Sequence, residues 1–139
     1  MIQASIPFLL FNDDCEQALA YYVEIFNAEI IEKMTFEDVG YTEDRQRNNC
    51  IANSTFKLGN NLFYAGDAVE KGDLQTVSKN SRISFWLELD SLEEIAVLES
   101  NLISTGSVSL VALHKTFWES HYAKVQDRFG IVWELNVQN

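Results

Sequence analysis

The sequence predicts an α+β fold built from two copies of one βαβββ module. Two observations lead there. The hydrophobic period runs strand, helix, three strands, and after a polar stretch that order recurs, the mark of an internal duplication. Landmarks also fall at matching places: Pro7 and Ser84 each stand six residues before an aspartate, Asp13 and Asp90, while Gly59 and Gly130 each precede the last strand of a module. The expected division is module one at 1–67, a linker at 68–80 and module two at 81–139, within one domain of 139 residues.

Ser5–Phe11 is a short apolar run and reads as a buried strand. Asp14, followed three residues later by Gln17, reads as a capping box, and Cys15, Ala18, Leu19, Tyr22 and Phe26 then recur at helical spacing. Ala28–Phe36 reads as a strand, Asp38–Asn49 as a mobile polar loop around Gly40. Cys50–Leu58 and Leu62–Ala65 read as strands joined at Gly59-Asn60-Asn61. Asp67–Asn80 is polar and reads as the connection to the second module.

In Arg82–Asp90, Ile83, Phe85, Leu87 and Leu89 alternate with Ser84, Trp86 and Glu88, a strand signature. Ser91-Leu92-Glu93-Glu94 is a Ser-x-x-Glu capping box, opening a helix with Leu92, Ile95, Leu98 and Leu102 on one face. Val108–Leu113, Tyr122–Gln126 and Ile131–Val137 supply three strands, the last two joined at Asp127-Arg128-Phe129-Gly130.

Hydrophobic residues make up 47% of the chain and charged ones 22%, as in ordinary globular proteins. The formal net charge of −11 repels phosphate backbones and anionic lipid headgroups, which argues against nucleic-acid or membrane partners and leaves room for a cationic ligand. The start of the chain lacks a basic segment followed by a long apolar one, so a cytoplasmic location is expected, with Cys15 and Cys50 as reduced thiols. Phosphate-binding glycine loops and the Gly-x-Ser-x-Gly elbow are absent. Cys15, on the apolar stripe of its helix and beside Asp13, Asp14 and Glu16, reads as a structural thiol.

Ile6-Pro7-Phe8-Leu9-Leu10-Phe11, Glu16-Gln17-Ala18-Leu19-Ala20-Tyr21-Tyr22 and Phe26-Asn27-Ala28-Glu29 resemble the opening of PhnB-like proteins. Thr116-Phe117-Trp118 and Asp127-Arg128-Phe129-Gly130-Ile131-Val132-Trp133-Glu134-Leu135 resemble their end. These proteins belong to the glyoxalase/bleomycin-resistance/extradiol-dioxygenase, or vicinal oxygen chelate, superfamily. The resemblance implies that the two modules' sheets form a curved half-barrel with helices on the outer face, a small-molecule cleft inside the curve, and a homodimer. Three positions depart from the family's pattern: Arg128 stands where a proline is usual, Glu119 where a glycine commonly follows the loop tryptophan, and Asn53 where a third-strand histidine is common.

Metal-dependent relatives hold a divalent ion with side chains from the first and last strand of each module. Carried over, the matching positions are Pro7, Phe63, Ser84 and Glu134, of which only Glu134 is a strong donor, whereas a divalent site wants three or more. His114 and His121 flank the Trp118 loop and could converge on a metal, or could be polar loop residues. No cofactor is expected, and a divalent metal is disfavoured.

Strand alternation then puts Leu9 and Phe11 on the cleft face with Pro7, Trp86 and Glu88 with Ser84, and Val132 and Asn136 with Glu134. The expected ligand-binding set is Asn53, Phe63, Ser84, Trp86, Trp118 and Glu134. Trp86 and Phe63 could stack on a planar or cationic ligand or simply fill core volume. Glu134, among apolar neighbours, is expected to lose hydration and rise in pKa, which suits a general base or a counter-charge; a carboxylate bonded only to Ser84 or solvent is the alternative. The chain is thus expected to bind a small molecule without metal, or else to be a lyase, isomerase or dioxygenase that uses Glu134 or an unrecognised metal. Purified protein should therefore carry no stoichiometric divalent metal after dialysis. Elemental analysis checks this, and retained zinc, nickel, manganese or iron would contradict it.

Overall fold

A computed structural model describes residues 1–41, 43–69 and 81–138. The chain forms two compact units, Met1–Thr76 and Val77–Asn139. The first contains β1 (Phe8–Phe11), α1 (Cys15–Phe26), β2 (Glu29–Thr35), a 3-10 turn (Arg45–Arg47), β3 (Ile51–Leu58) and β4 (Asn61–Asp67). The second contains β5 (Phe85–Glu88), α2 (Leu92–Ser104), β6 (Val108–Lys115), β7 (Ser120–Gln126) and β8 (Val132–Gln138). Their sheets have the same topology, β1-β4-β3-β2 and β5-β8-β7-β6. In each, the first strand pairs with the last in parallel and the other pairs are antiparallel. The fold is α+β with two βαβββ modules, as the periodicity predicts. From residue 70 on, the expected linker lies outside the described residues.

Each helix covers one face of its own sheet. Along α1, Cys15, Ala18, Leu19 and Tyr22 are buried at the i, i+3, i+4, i+7 spacing that makes an apolar stripe. Tyr22 stacks on Phe26 at 5.7 Å and on Phe56 at 6.1 Å, and Phe56 stacks on Phe63 at 5.2 Å. The helix stops where Asn27 turns left-handed (φ 58°) and the Ala28 N–H returns to the Tyr22 carbonyl, a termination that asparagine tolerates. In the second unit α2 buries Ile95 and Leu102 over a sheet face carrying Trp133 and Leu135. Trp133 packs on Phe85 at 5.4 Å and donates its indole N–H to Asp127 at 2.8 Å.

The helix starts divide the two capping expectations. At α2, Ser91 accepts from the Glu94 N–H at 3.1 Å, and the Glu94 carboxylate reaches back to the Asp90 N–H at 3.3 Å, one residue short of a strict capping box. At α1 the Asp14 side chain bonds the Asn12 N–H instead of the helix. Its place is taken by Asp67 at the end of β4, which accepts from the Cys15 N–H at 3.0 Å and the Ile51 N–H at 2.8 Å. One carboxylate, remote in sequence, therefore ties helix, first strand pair and third strand together. Cys15, fully buried here, has its thiol pKa pushed up by desolvation and by the Asp67 and Glu16 charges, so it is an inert structural thiol.

Two expectations need correction. The faces of β1 are reversed: Leu9 and Phe11 are buried on the α1 side, and Phe8 and Leu10 lie on the open side. Asp13 adopts a left-handed backbone (φ 69°), which changes the turn into the helix, so counting back from Asp13 and Asp90 does not carry the face from one module to the other. The stretch Asp38–Asn49 is not simply a mobile loop. It contains the 3-10 turn, and Arg47 within it is only 5% exposed. Its guanidinium donates twice to Asp13 (2.6 and 3.0 Å), to the Val69 carbonyl at 2.6 Å and to the Ala68 carbonyl, and it lies 4.9 Å over the Phe36 ring.

Removing one member of a buried, bonded charge pair costs about 3–5 kcal/mol where the partner is left buried, and less where it can rehydrate, as the partly exposed Asp13 can. Arg47→Met should therefore lower stability by about 2–3 kcal/mol, read as a reduced urea midpoint with unchanged slope. An unshifted midpoint would contradict the role given to this residue.

Candidate functional site

The face of the second sheet turned away from α2 gathers most of the expected site residues. Register fixes its membership. Trp86 lies beside Glu134 and Glu88 beside Asn136 across the parallel pair. Tyr122 lies opposite Asn136 and Lys124 opposite Glu134 across the antiparallel pair. Side chains paired in this way share a face.

Glu134 is gripped from both sides. The Ser84 hydroxyl donates to one carboxylate oxygen, and the Tyr122 phenol donates to the other at 2.5 Å. Partial burial pushes the Glu134 pKa up, but the Ser84 and Tyr122 bonds and the nearby Lys124 charge outweigh it, and the carboxyl sits below its ordinary value of 4.5. Tyr122 moves the other way: burial, then its bond to Glu134 and the charge there, push its phenol well up, so it stays a donor at neutral pH.

Tyr122 is also where the aromatic residues meet. Trp86 stacks on it at 5.7 Å and 28°, while Trp118 and His114 approach it edgewise at 6.0 Å each. Trp86 donates its indole N–H to Glu88 at 2.6 Å, and Asn136 donates to the same oxygen at 2.8 Å. Trp86 and Trp118 remain 48% and 44% exposed, so this is a partly open surface of ring faces with two carboxylates, not a closed core.

The structure gathers Ser84, Trp86, Trp118 and Glu134 around one tyrosine. Asn53 lies in the first unit, exposed on β3. Phe63 is a correction. It is 6% exposed and packs on Phe56, because its β3 partner faces α1, and the open side of that strand pair is held by Tyr64 opposite Thr55. Tyr122 and Glu88 complete the site, and Tyr122 is absent from the set read off the sequence. Counting back across the turn from Val132 would have placed its side chain on the Glu134 face, opposite Asn136.

The expected pKa rise of Glu134 is likewise overturned, because two hydroxyl donors and a lysine outweigh desolvation. A divalent metal does not fit here. Both carboxylate oxygens already accept hydrogen bonds, and the neighbours are two hydroxyls and the Lys124 cation. His114 and His121 pair with Tyr122 and Lys115 respectively, and as neighbours of opposite parity on their strands they occupy opposite faces; His114 Nδ1 lies 2.9 Å from the Ala112 carbonyl. Among the described residues, the one group with metal-ligand spacing is Asp13, Cys50 and Asp67 in the first unit.

Comparison with known proteins agrees with this architecture. A family profile described as 3-demethylubiquinone-9 3-methyltransferase matches residues 3–136. Protein YjdN of Escherichia coli K12 is 31% identical over 137 residues, 94% of this chain and 92% of that protein. Among solved structures, the PhnB protein of Bacillus cereus superposes with a TM-score of 0.77 at 21% identity, covering 97% of this chain and 99% of that one. FosX, the fosfomycin resistance protein of Listeria monocytogenes, solved with manganese and sulfate, superposes at 0.64 with 16% identity over 100% of this chain and 95% of that one.

A carboxylate whose folded pKa is depressed stabilises the fold fully above its unfolded pKa, and that contribution is lost as pH falls through the folded value. The Glu134 grip should therefore be at full strength near neutrality and fade only in acid, as pH falls below the ordinary value of 4.5. A carboxyl carbon NMR titration should give Glu134 a pKa below 4.5, and Ser84→Ala should raise it. A wild-type value at or above 4.5 would contradict the assignment.

Proposed function

The chain belongs to the family described as 3-demethylubiquinone-9 3-methyltransferase, the PhnB-like group of the vicinal oxygen chelate superfamily, and from that membership we propose that it binds a small organic cation on the open face of the second unit. Glu134 serves there as a fixed counter-charge. The observation that carries this reading is the two-sided grip of Ser84 and Tyr122 on Glu134, beside the exposed rings of Trp86 and Trp118.

A general base working near neutrality needs a carboxyl whose pKa is raised toward 6 or 7. The two hydroxyl bonds work in the opposite direction, so a lyase or isomerase that uses Glu134 as its base is the less supported reading. A dioxygenase or other metal-dependent reaction finds too few donors around Glu134. An anionic ligand would meet Glu88 and Glu134 in a chain of net charge −11. A cation would find two carboxylates, of which Glu134 already has Lys124 nearby, together with ring faces, and such ring contacts contribute about 0.5–2 kcal/mol each.

The proposal retains the linker at 68–80, the cytoplasmic location and the homodimer, which rest on composition and on the family resemblance. No described helix is long and apolar enough to cross a membrane.

Choline and its neutral isostere 3,3-dimethylbutan-1-ol test the reading, because they differ in charge and hardly in shape. Titration followed by the indole N–H resonances of Trp86 and Trp118 should show choline binding about five- to thirtyfold tighter, the worth of about 1–2 kcal/mol. Glu134→Gln should remove most of that preference. Equal affinity for the two compounds would contradict the proposal.

A further inference from the structure

The described residues hold three non-glycine residues with left-handed backbone: Asp13, Asn27 and Glu119. Aspartate and asparagine tolerate that region, and both have a local reason for it, Asp13 beside Arg47 and Asn27 at a helix end. Glu119 (φ 65°) has neither the tolerance nor a bond, since its side chain makes no hydrogen bond or ion pair among the described residues. Strain of this kind persists only where the surrounding structure over-determines it.

The surroundings are explicit. Thr116 and Ser120 close the β6–β7 hairpin: the Thr116 N–H donates to the Ser120 carbonyl at 2.8 Å, and the Ser120 N–H donates to the Thr116 hydroxyl at 3.1 Å. Both residues are buried. Only Phe117, Trp118 and Glu119 lie between them, and a three-residue hairpin loop commonly needs a left-handed residue at its third position, where glycine is the unstrained choice. The tip presents two aromatic residues. Trp118 reaches back to Tyr122, while Phe117, 93% exposed, stands edge-on to Trp118 at 4.9 Å.

We propose that Glu119 is a positioning residue: its β-carbon narrows the left-handed well at the loop's third position, and so holds Trp118 against the Tyr122 ring and sets the edge of the ligand face. Glycine would relieve the strain but widen the backbone freedom at that point, and Trp118 would swing more. Stability and positioning are thus set against each other at one residue. The part concerning ligand rests on the cation reading above; the part concerning Trp118 does not.

Two variants of the full chain, Glu119→Gly and Glu119→Asn, compared with wild type, test this. Asparagine keeps a β-carbon and tolerates the left-handed region. Glu119→Gly should raise Tm by about 3 °C, weaken the nuclear Overhauser contacts between the Trp118 and Tyr122 rings, and raise the choline Kd about three- to tenfold. Glu119→Asn should raise Tm while leaving those contacts and the Kd as in wild type. Unchanged Trp118–Tyr122 contacts in Glu119→Gly, or a lowered Tm, would overturn the positioning role. Wild-type protein that ignores choline would sink the cation reading alone, and the ring contacts and Tm would still decide the case for Glu119.

Discussion

One carboxylate held between two hydroxyls decides what the second sheet can do. With Ser84 on one oxygen and Tyr122 on the other, Glu134 stays charged where burial alone would favour its proton. The same bond fixes Tyr122, whose ring is the surface against which Trp86, Trp118 and His114 are placed. Charge and aromatic arrangement therefore depend on one another. Loss of either hydroxyl would free an oxygen, raise the carboxyl pKa and loosen the ring cluster in one step.

The two units use the same topology for different ends. In the first, the carboxylate near the end of the last strand is Asp67, and it is spent on structure: it takes the orphan N–H at the start of α1 and one from β3. The open face there has Phe8, Leu10, Leu62 and Tyr64 and lacks a carboxylate at the place of Glu134. In the second unit Ser91 caps its own helix, and the last-strand carboxylate faces the open side. Local capping chemistry at the helix start accompanies the division between a structural acid and a half-buried one on the open face. The Asp13, Cys50 and Asp67 group, though spaced like a ligand set, already surrounds the Arg47 guanidinium and two backbone donors.

Most of the fold was legible in the sequence because period and punctuation are local signals. The alternation of Ile83 to Leu89, the Ser91–Glu94 box and the glycines before β4 and β8 each act within a few residues. What failed depended on distant partners or on unusual dihedral angles. The cap of α1 comes from Asp67, fifty-two residues from Cys15, and no local pattern announces it. Arg47 sits in a polar stretch whose composition says loop, and only its tertiary partners make it buried. The faces of β1 differ from expectation where a left-handed Asp13 breaks the analogy between modules, and Phe63 differs because its strand partner Phe56 packs on Tyr22 of α1. Matching strand positions finds Glu134 but not its pKa: desolvation is readable from apolar neighbours, and counting puts the Tyr122 ring on the same face, but neither says that the phenol and Ser84 hydroxyls both bond the carboxylate.

The ionisation state of Glu134 is the point on which the account rests, and isotope-edited infrared difference spectroscopy reads it directly. Wild-type protein labelled with carbon-13 at glutamate carboxyls is compared with Glu134→Gln at mildly acidic pH. The account predicts that the difference contains the bands of an ionised carboxylate and no carbonyl band from a protonated acid. A protonated Glu134 near neutral pH would contradict it, and would return the residue to the role of a general acid or base.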